Sequence, residues 1–185
     1  MRLAISSMLV CGLAFAAEDP AVKAFNDRLA EYVKIRNSAI AKATNLPKQA
    51  KAEQIEAHEK ALVETIRKAR PNAMQGDILT PEIQKLFRSI LQSNLKGTVN
   101  QDTRAAVKEG NPKHERAPGE VIPVVEVNGI YPDNAPLSTV PPLLLLQLPK
   151  LPADIEYRFV GRTLLLRDSK SNLIIDYMKE AAPGV

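Results

Sequence analysis

The 185-residue chain holds one cysteine, two histidines and no tryptophan, and aromatic residues make up only 4% of it. Each shortage removes a class of chemistry. A single cysteine, Cys11, cannot form an internal disulfide framework or a thiolate metal site. A zinc site needs three or four convergent ligands, usually His or Cys, and only His58 and His114 are on offer. His58, within Glu56-Ala57-His58-Glu59, reads as a solvated helix residue. His114, between Lys113 and Glu115, reads as a loop residue. No Gly-x-Ser-x-Gly occurs, and Gly110, Gly119, Gly129 and Gly161 stand alone as turn residues, so neither a nucleophile elbow nor a phosphate loop is present. With so few rings, base stacking lacks platforms. No cofactor and no metal is therefore expected.

What is present begins with an export signal. Arg2 is followed by an apolar or small run from Leu3 to Phe15. Ala14-Phe15-Ala16 then supplies a cleavage site, and acidic Glu18-Asp19 follows. This is the pattern of a secretory signal peptide over residues 1–16. The apolar run is about 13 residues, too short for a spanning helix of roughly 20. Val10 precedes Cys11 where a lipoprotein signal carries a small residue. Cleavage would remove the only cysteine and leave a chain with no transmembrane segment, working in the periplasm or outside the cell. Residues 17–118 hold 18 Lys/Arg against 13 Asp/Glu, and residues 119–185 hold 6 against 8. An excess of five spread over about 100 residues permits weak contact with an anionic envelope surface, and is too dilute for nucleic acid.

Residues 17–109 read as helical. Asp19-Pro20 is a cap followed by proline at the first helical position. Val22, Phe25, Leu29, Tyr32, Val33, Ile40 and Ala43 then recur on one helical face. After Asn45-Leu46-Pro47, Ile55, Leu62, Ile66 and Ala69 mark a second helix, expected to pack antiparallel on the first as a hairpin. Thr80-Pro81 opens a third helix with a stripe of Ile83, Leu86, Phe87, Ile90 and Leu91, and a weaker helix is expected over 101–109. Residues 110–120, polar with two prolines and two glycines, form a linker. Residues 121–185 read as a small β-rich module. It contains a tight turn at Asn128-Gly129, a proline-punctuated apolar segment over 136–152, and three strand-like runs. In the first run Ile155, Tyr157 and Phe159 face one way and Glu156 and Arg158 the other. The expected architecture is α+β: a helical hairpin plus a third helix, linked to a C-terminal antiparallel meander.

The chemistry-bearing groups are sparse. Asp168, Asn172 and Asp176 are the nearest approach to a carboxylate cation site, and read as turn residues plus one exposed strand residue. Glu126, Asp154 and Asp176 are the acids available to an enzyme acting on an envelope polymer, although the aromatics that line sugar clefts are scarce. The run Leu143-Leu144-Leu145-Leu146 lies in a short helix between Pro141-Pro142 and Pro149. It either packs on the sheet or leaves leucines exposed as a docking patch.

Val121-Ile122-Pro123, Leu148-Pro149-Lys150-Leu151-Pro152, Tyr157-Arg158-Phe159-Val160-Gly161, Leu164 to Asp168 and Leu173 to Tyr177 together form a pattern. It resembles the small C-terminal β module of secreted bacterial proteins that include the periplasmic nickel/cobalt-homeostasis proteins. The resemblance implies a meander with a Pro-rich approach, a Tyr-Arg strand and a glycine turn. It does not carry metal handling over, because histidine-rich stretches are missing here. Leu79 to Gln84 is similar to the Leu-Thr-x-x-Gln repeat of helical periplasmic stress proteins, with the glutamine one residue late. The expected function is that of an exported, non-catalytic binding or interaction protein. A protein partner or a second copy would meet the helical face of Phe25, Leu29 and Val33, or the leucines 143–146. A carboxylate enzyme and a helical stress or chaperone-like protein are the alternatives.

Overall fold

The structure, a computed structural model, describes residues 18–43, 47, 49–95, 124–132, 135 and 138–181. The signal segment 1–16, the helix expected over 101–109 and the linker 110–120 lie outside the described residues. Three helices precede a four-stranded antiparallel sheet: α1 (Pro20–Lys42), α2 (Ala52–Ala69), α3 (Pro81–Leu95), β1 (Ser138–Thr139), the one-turn α4 (Pro142–Leu145), β2 (Ile155–Val160), β3 (Thr163–Asp168) and β4 (Leu173–Met178). The strands follow chain order across the sheet, and the fold is α+β.

The Asp19 carboxylate accepts from the Ala21 amide at 2.7 Å and caps α1, with Pro20 at its first position. Phe25, Leu29, Tyr32, Arg36 and Ala39 are buried at steps of three and four. The core face of α2 differs from the expected stripe. Leu62, Val63 and Ile66 are buried, whereas Ile55 and Ala69 are exposed. Its contact with α1 falls in its second half, where Thr65 and Ala69 border a shallow groove with Ile35, Ser38 and Ala39. Just past its end the Arg70 guanidinium lies 5.0 Å from the Tyr32 ring centre. In α3, Ile83, Phe87 and Leu91 are fully buried. Phe87 stacks edge-on between Phe25 of α1 and Tyr157 of β2, at 5.7 and 5.9 Å.

One core therefore joins α1, α2, α3 and α4 to the inner face of the sheet, which supplies Ile155, Tyr157, Phe159, Leu164, Leu166, Leu173, Ile175 and Met178. A smaller cluster of Tyr131, Ala135, Leu165, Ile174 and Tyr177 covers the outer face, with Val125, Val127 and Val160 packed on it. The segment that carries Tyr131 runs beside β4: Asn128 N–H donates to Ile174 O, Ile174 N–H to Gly129 O, and Tyr131 N–H to Asn172 O, each at 2.9 Å. Asn128 takes a positive φ of 62°, as its tight turn requires.

The register between β3 and β4 shifts after Leu166. Leu166 opposes Asp176 while Arg167 opposes Ile174, so Ile175 is the extra residue of a bulge. Past the bulge the alternation changes phase: Leu173 and Ile175 belong to the inner core, Tyr177 to the outer cluster and Met178 to the inner core again. Asp176 is thereby turned inward. It is fully buried and not the exposed strand residue that plain alternation implies.

Candidate functional site

The leucine run sits on α4, directly after β1 ends. Pro141 and Pro142 stop the strand and start the helical turn, with Leu144 and Leu145 N–H both donating to Pro141 O. Only Leu144 points into the core, at 0% exposure. Leu143, Leu145 and Leu146 are 63%, 44% and 82% exposed. α4 is held against the end of α3 by a reciprocal amide pair. Asn94 Nδ2 donates to Gln147 Oε1 at 2.9 Å and Gln147 Nε2 to Asn94 Oδ1 at 2.8 Å.

Beside this turn lies an open groove of about 690 Å³. Val140, Pro142 and Leu145 form one wall, Pro149, Lys150 and Leu151 another, and residues 155–158 of β2 the floor. The groove exists because β1 is only two residues long: it pairs with Arg158 and Phe159 and leaves the first half of β2 without a strand partner on that side among the described residues. The Tyr157 side chain crosses to the core and its hydroxyl donates to Pro149 O at 3.1 Å, which fixes that wall. Burial pushes the Tyr157 hydroxyl pKa up strongly, so this group stays a neutral donor. The charged lining residues are Lys150, Glu156 and Arg158. Burial pushes the Glu156 carboxyl up, and hydrogen bonds from Arg158 and Arg167 outweigh it, holding the pKa below the ordinary range. Lys150 is exposed and has no hydrogen bond or ion pair among the described residues. The Nε of Arg158 is buried without a partner.

Of the seven residues expected at a contact surface, Phe25 and Leu29 are fully buried between α1 and α3, Val33 is half-buried against the same core, and Leu144 is fully buried. They serve packing, because the face the periodicity selects is the one the sheet and α3 cover. The leucines at 143, 145 and 146 are the accessible ones. Lys150 and Arg158 were not among the expected contacts. The signal was present, since Lys150 is the sole Lys or Arg between Arg116 and Arg158 and sits among prolines and leucines.

The acids do not gather. Glu126 is exposed beyond the outer face of the sheet. Asp154 stands 3.9 Å from Arg36 and 4.0 Å from Lys170. Asp168, fully buried, accepts from the Tyr32 hydroxyl at 2.7 Å and the Lys170 amide at 2.9 Å, with Arg36 at 3.8 Å. Burial, aided by the adjacent Asp168 carboxylate, pushes the Tyr32 hydroxyl pKa up strongly and keeps it protonated. Asp176 accepts four backbone N–H groups, from Gly76, Ile78, Leu79 and Tyr177. Asn172 accepts from Arg167. Asp168 and Asp176 thus tie α1 and the loop before α3 to the sheet, while Asn172 braces Arg167 of β3. Among the described residues no three His, Cys, Asp or Glu gather in a way that holds a metal ion. His58 is half-buried on α2, and His114 lies outside the described residues. No described helix is long and apolar enough to cross a membrane. No family model, curated protein or solved structure matches the chain.

Proposed function

We propose that this is an exported, non-catalytic binding protein of a bacterial envelope, and that α4 with the groove beside it is its contact site. One observation carries the reading: three leucines in four consecutive residues stand exposed at α4, and one of them, Leu145, lines the groove beside it. Exposed apolar residues clustered at a concave site mark interaction surfaces, whereas scattered ones do not. The export signal read in residues 1–16 supplies the compartment. The non-catalytic reading draws on the acids: Asp176 accepts four N–H groups of the chain itself, Asp168 is fully buried against Tyr32 and shares Arg36 with Asp154, and Glu126 is exposed on the segment beside β4.

Site-directed photocrosslinking tests the proposal. A photoreactive residue at position 146 is expected to give adducts in the native envelope. The same residue at position 74, where Met74 is an exposed apolar residue in the loop before α3, is expected to give few. Equal labelling at both positions, or none at 146, would refute a contact site at α4.

A further inference from the structure

We infer that the groove beside α4 binds a single-chain anionic amphiphile of the fatty-acid kind, its aliphatic tail in the groove and its carboxylate at Lys150 and Arg158. The inference rests on the binding reading above and names the ligand's chemistry.

The body of the groove selects an aliphatic tail. Its apolar walls are Val140, Pro142, Leu145, Leu151 and Ile155, which are branched or cyclic aliphatics. Tyr157 is the only ring among the lining residues, and its hydroxyl is spent on Pro149 O. A planar ligand would find no stacking partner there, while a flexible methylene chain gains from every wall by burial alone. A sugar or peptide would need donors along the rim, and Pro142 and Pro149 have no backbone N–H. Addition of a peptide strand has little to pair with, because β1 leaves only Ile155 to Tyr157 of β2 open on that side among the described residues. The volume, about 690 Å³, falls within the roughly 300–1,000 Å³ of small-molecule sites.

The lip selects an anion. Glu156 is neutralised by Arg158 and Arg167, while Lys150 has no ion pair among the described residues. The groove thus has an excess positive charge. Arg158 lines the same groove with its side chain 21% exposed, and its guanidinium is a donor of the kind a carboxylate accepts from. An exposed lysine beside exposed leucines also lets the head remain in water while the tail is covered.

Titration of the purified chain with decanoate and with decanol, followed calorimetrically, tests this. Decanoate is expected to saturate at one per chain and to bind at least about fivefold more tightly than decanol, the worth of one partly exposed ion pair. Lys150→Glu should weaken decanoate by at least that factor and leave decanol unchanged, with far-UV circular dichroism showing that the fold is kept. Lys150→Gln gives the same readout should the glutamate variant misfold. Leu145→Gln should weaken both ligands. Equal affinity for the two ligands, or indifference of decanoate to the Lys150 variants, overturns the anionic head. Binding to phosphatidylglycerol vesicles without saturable decanoate binding overturns the single-chain ligand in favour of a bilayer. In each of those cases labelling at position 146 remains intact, whereas failure of that labelling sinks the binding reading itself.

Discussion

Asp176→Asn exchanges one carboxylate oxygen for an NH2 group with almost no change in shape, and is expected to be among the most damaging conservative substitutions in this chain. The wild-type carboxylate is fully buried. Its Oδ1 accepts from Gly76 at 2.9 Å and Tyr177 at 2.7 Å, and its Oδ2 from Ile78 and Leu79 at 2.8 Å each. An asparagine oxygen can serve one of these pairs. The other two amides then face a donor and are left unsatisfied, at about 1–3 kcal/mol each. Against this, the buried charge and its desolvation cost disappear, which returns part of the loss. The balance is a destabilisation of about 3 kcal/mol, a large share of the roughly 5–15 kcal/mol that holds a domain together. For a chain of this size that lowers Tm by about 6–12 °C. Urea denaturation followed by far-UV circular dichroism measures it, since there is no tryptophan to report by fluorescence. Amide exchange adds a local test, with Gly76, Ile78 and Leu79 losing protection ahead of the rest. A stability loss under about 0.5 kcal/mol, the ordinary range for surface changes, would refute the account.

Three further outcomes follow from the same geometry. Leu144→Ala should cost about 2–5 kcal/mol while Leu146→Ser stays within about 0.5, and similar losses at the two positions would show that the buried face of α4 is misassigned. Gly129→Ala places a Cβ 2.7 Å from Glu126 Cγ and 3.0 Å from Glu126 O, so a loss of about 1–3 kcal/mol is expected in thermal melts, only partly relieved by adding Glu126→Ala; an unchanged melt would count against the tight turn. The third concerns Glu156. Its depressed folded pKa gives stability that is present above the unfolded value of about 4.3 and is lost as pH falls through the lower folded value. The stability gap between wild type and Glu156→Gln should therefore be flat above about pH 5 and narrow below about pH 4, and a gap independent of pH would contradict the pairing with Arg158 and Arg167.

The helical segment and the sheet are separated by a long stretch of chain, yet three polar anchors, two fully buried and one half-buried, orient one on the other. Asp176 holds the loop before α3. Asp168 holds Tyr32 of α1. Asn128 accepts from Arg70 at 3.1 Å and donates back to Arg70 O at 3.2 Å, while Arg67 donates to Asn128 O at 2.9 Å. Apolar contacts such as Phe25, Phe87 and Tyr157 supply burial but tolerate sliding. The polar anchors do not, because a shift of one residue orphans a buried donor or acceptor. Arg70 illustrates the cost: burial lowers its pKa, and the carboxylates of Asp176 and Asp77 oppose that. This division of labour places β2 and α4 reproducibly at the free side of the sheet, where the groove forms.

How much of this was legible in sequence depends on whether the deciding contact is local. The Asp19-Pro20 cap, the α3 stripe and the alternation of Ile155, Tyr157 and Phe159 are local, and the structure has them where the spacing puts them. Asp176 is not local. Strict alternation turns it outward, the bulge turns it inward, and three of its four donors lie 97–100 residues away in the chain. Ile55 shows a different limit: periodicity says which face of α2 is apolar, not how far along the helix the core extends. The leucine run sits between these cases. Successive residues on a helix turn by about 100°, so a single turn docked on a core can bury only one of four consecutive leucines and must expel its neighbours. Taken alone, four identical residues carry no phase. The phase is nevertheless in the flanks, for Val140, Leu144 and Leu148 are spaced by four and are the residues buried, at 4%, 0% and 4% exposure. Had the segment continued as a longer helix, a neighbouring element would have covered the other leucines. Pro141-Pro142 and Pro149 confine it to about one turn, and that brevity leaves Leu143, Leu145 and Leu146 exposed, with Leu145 lining the groove.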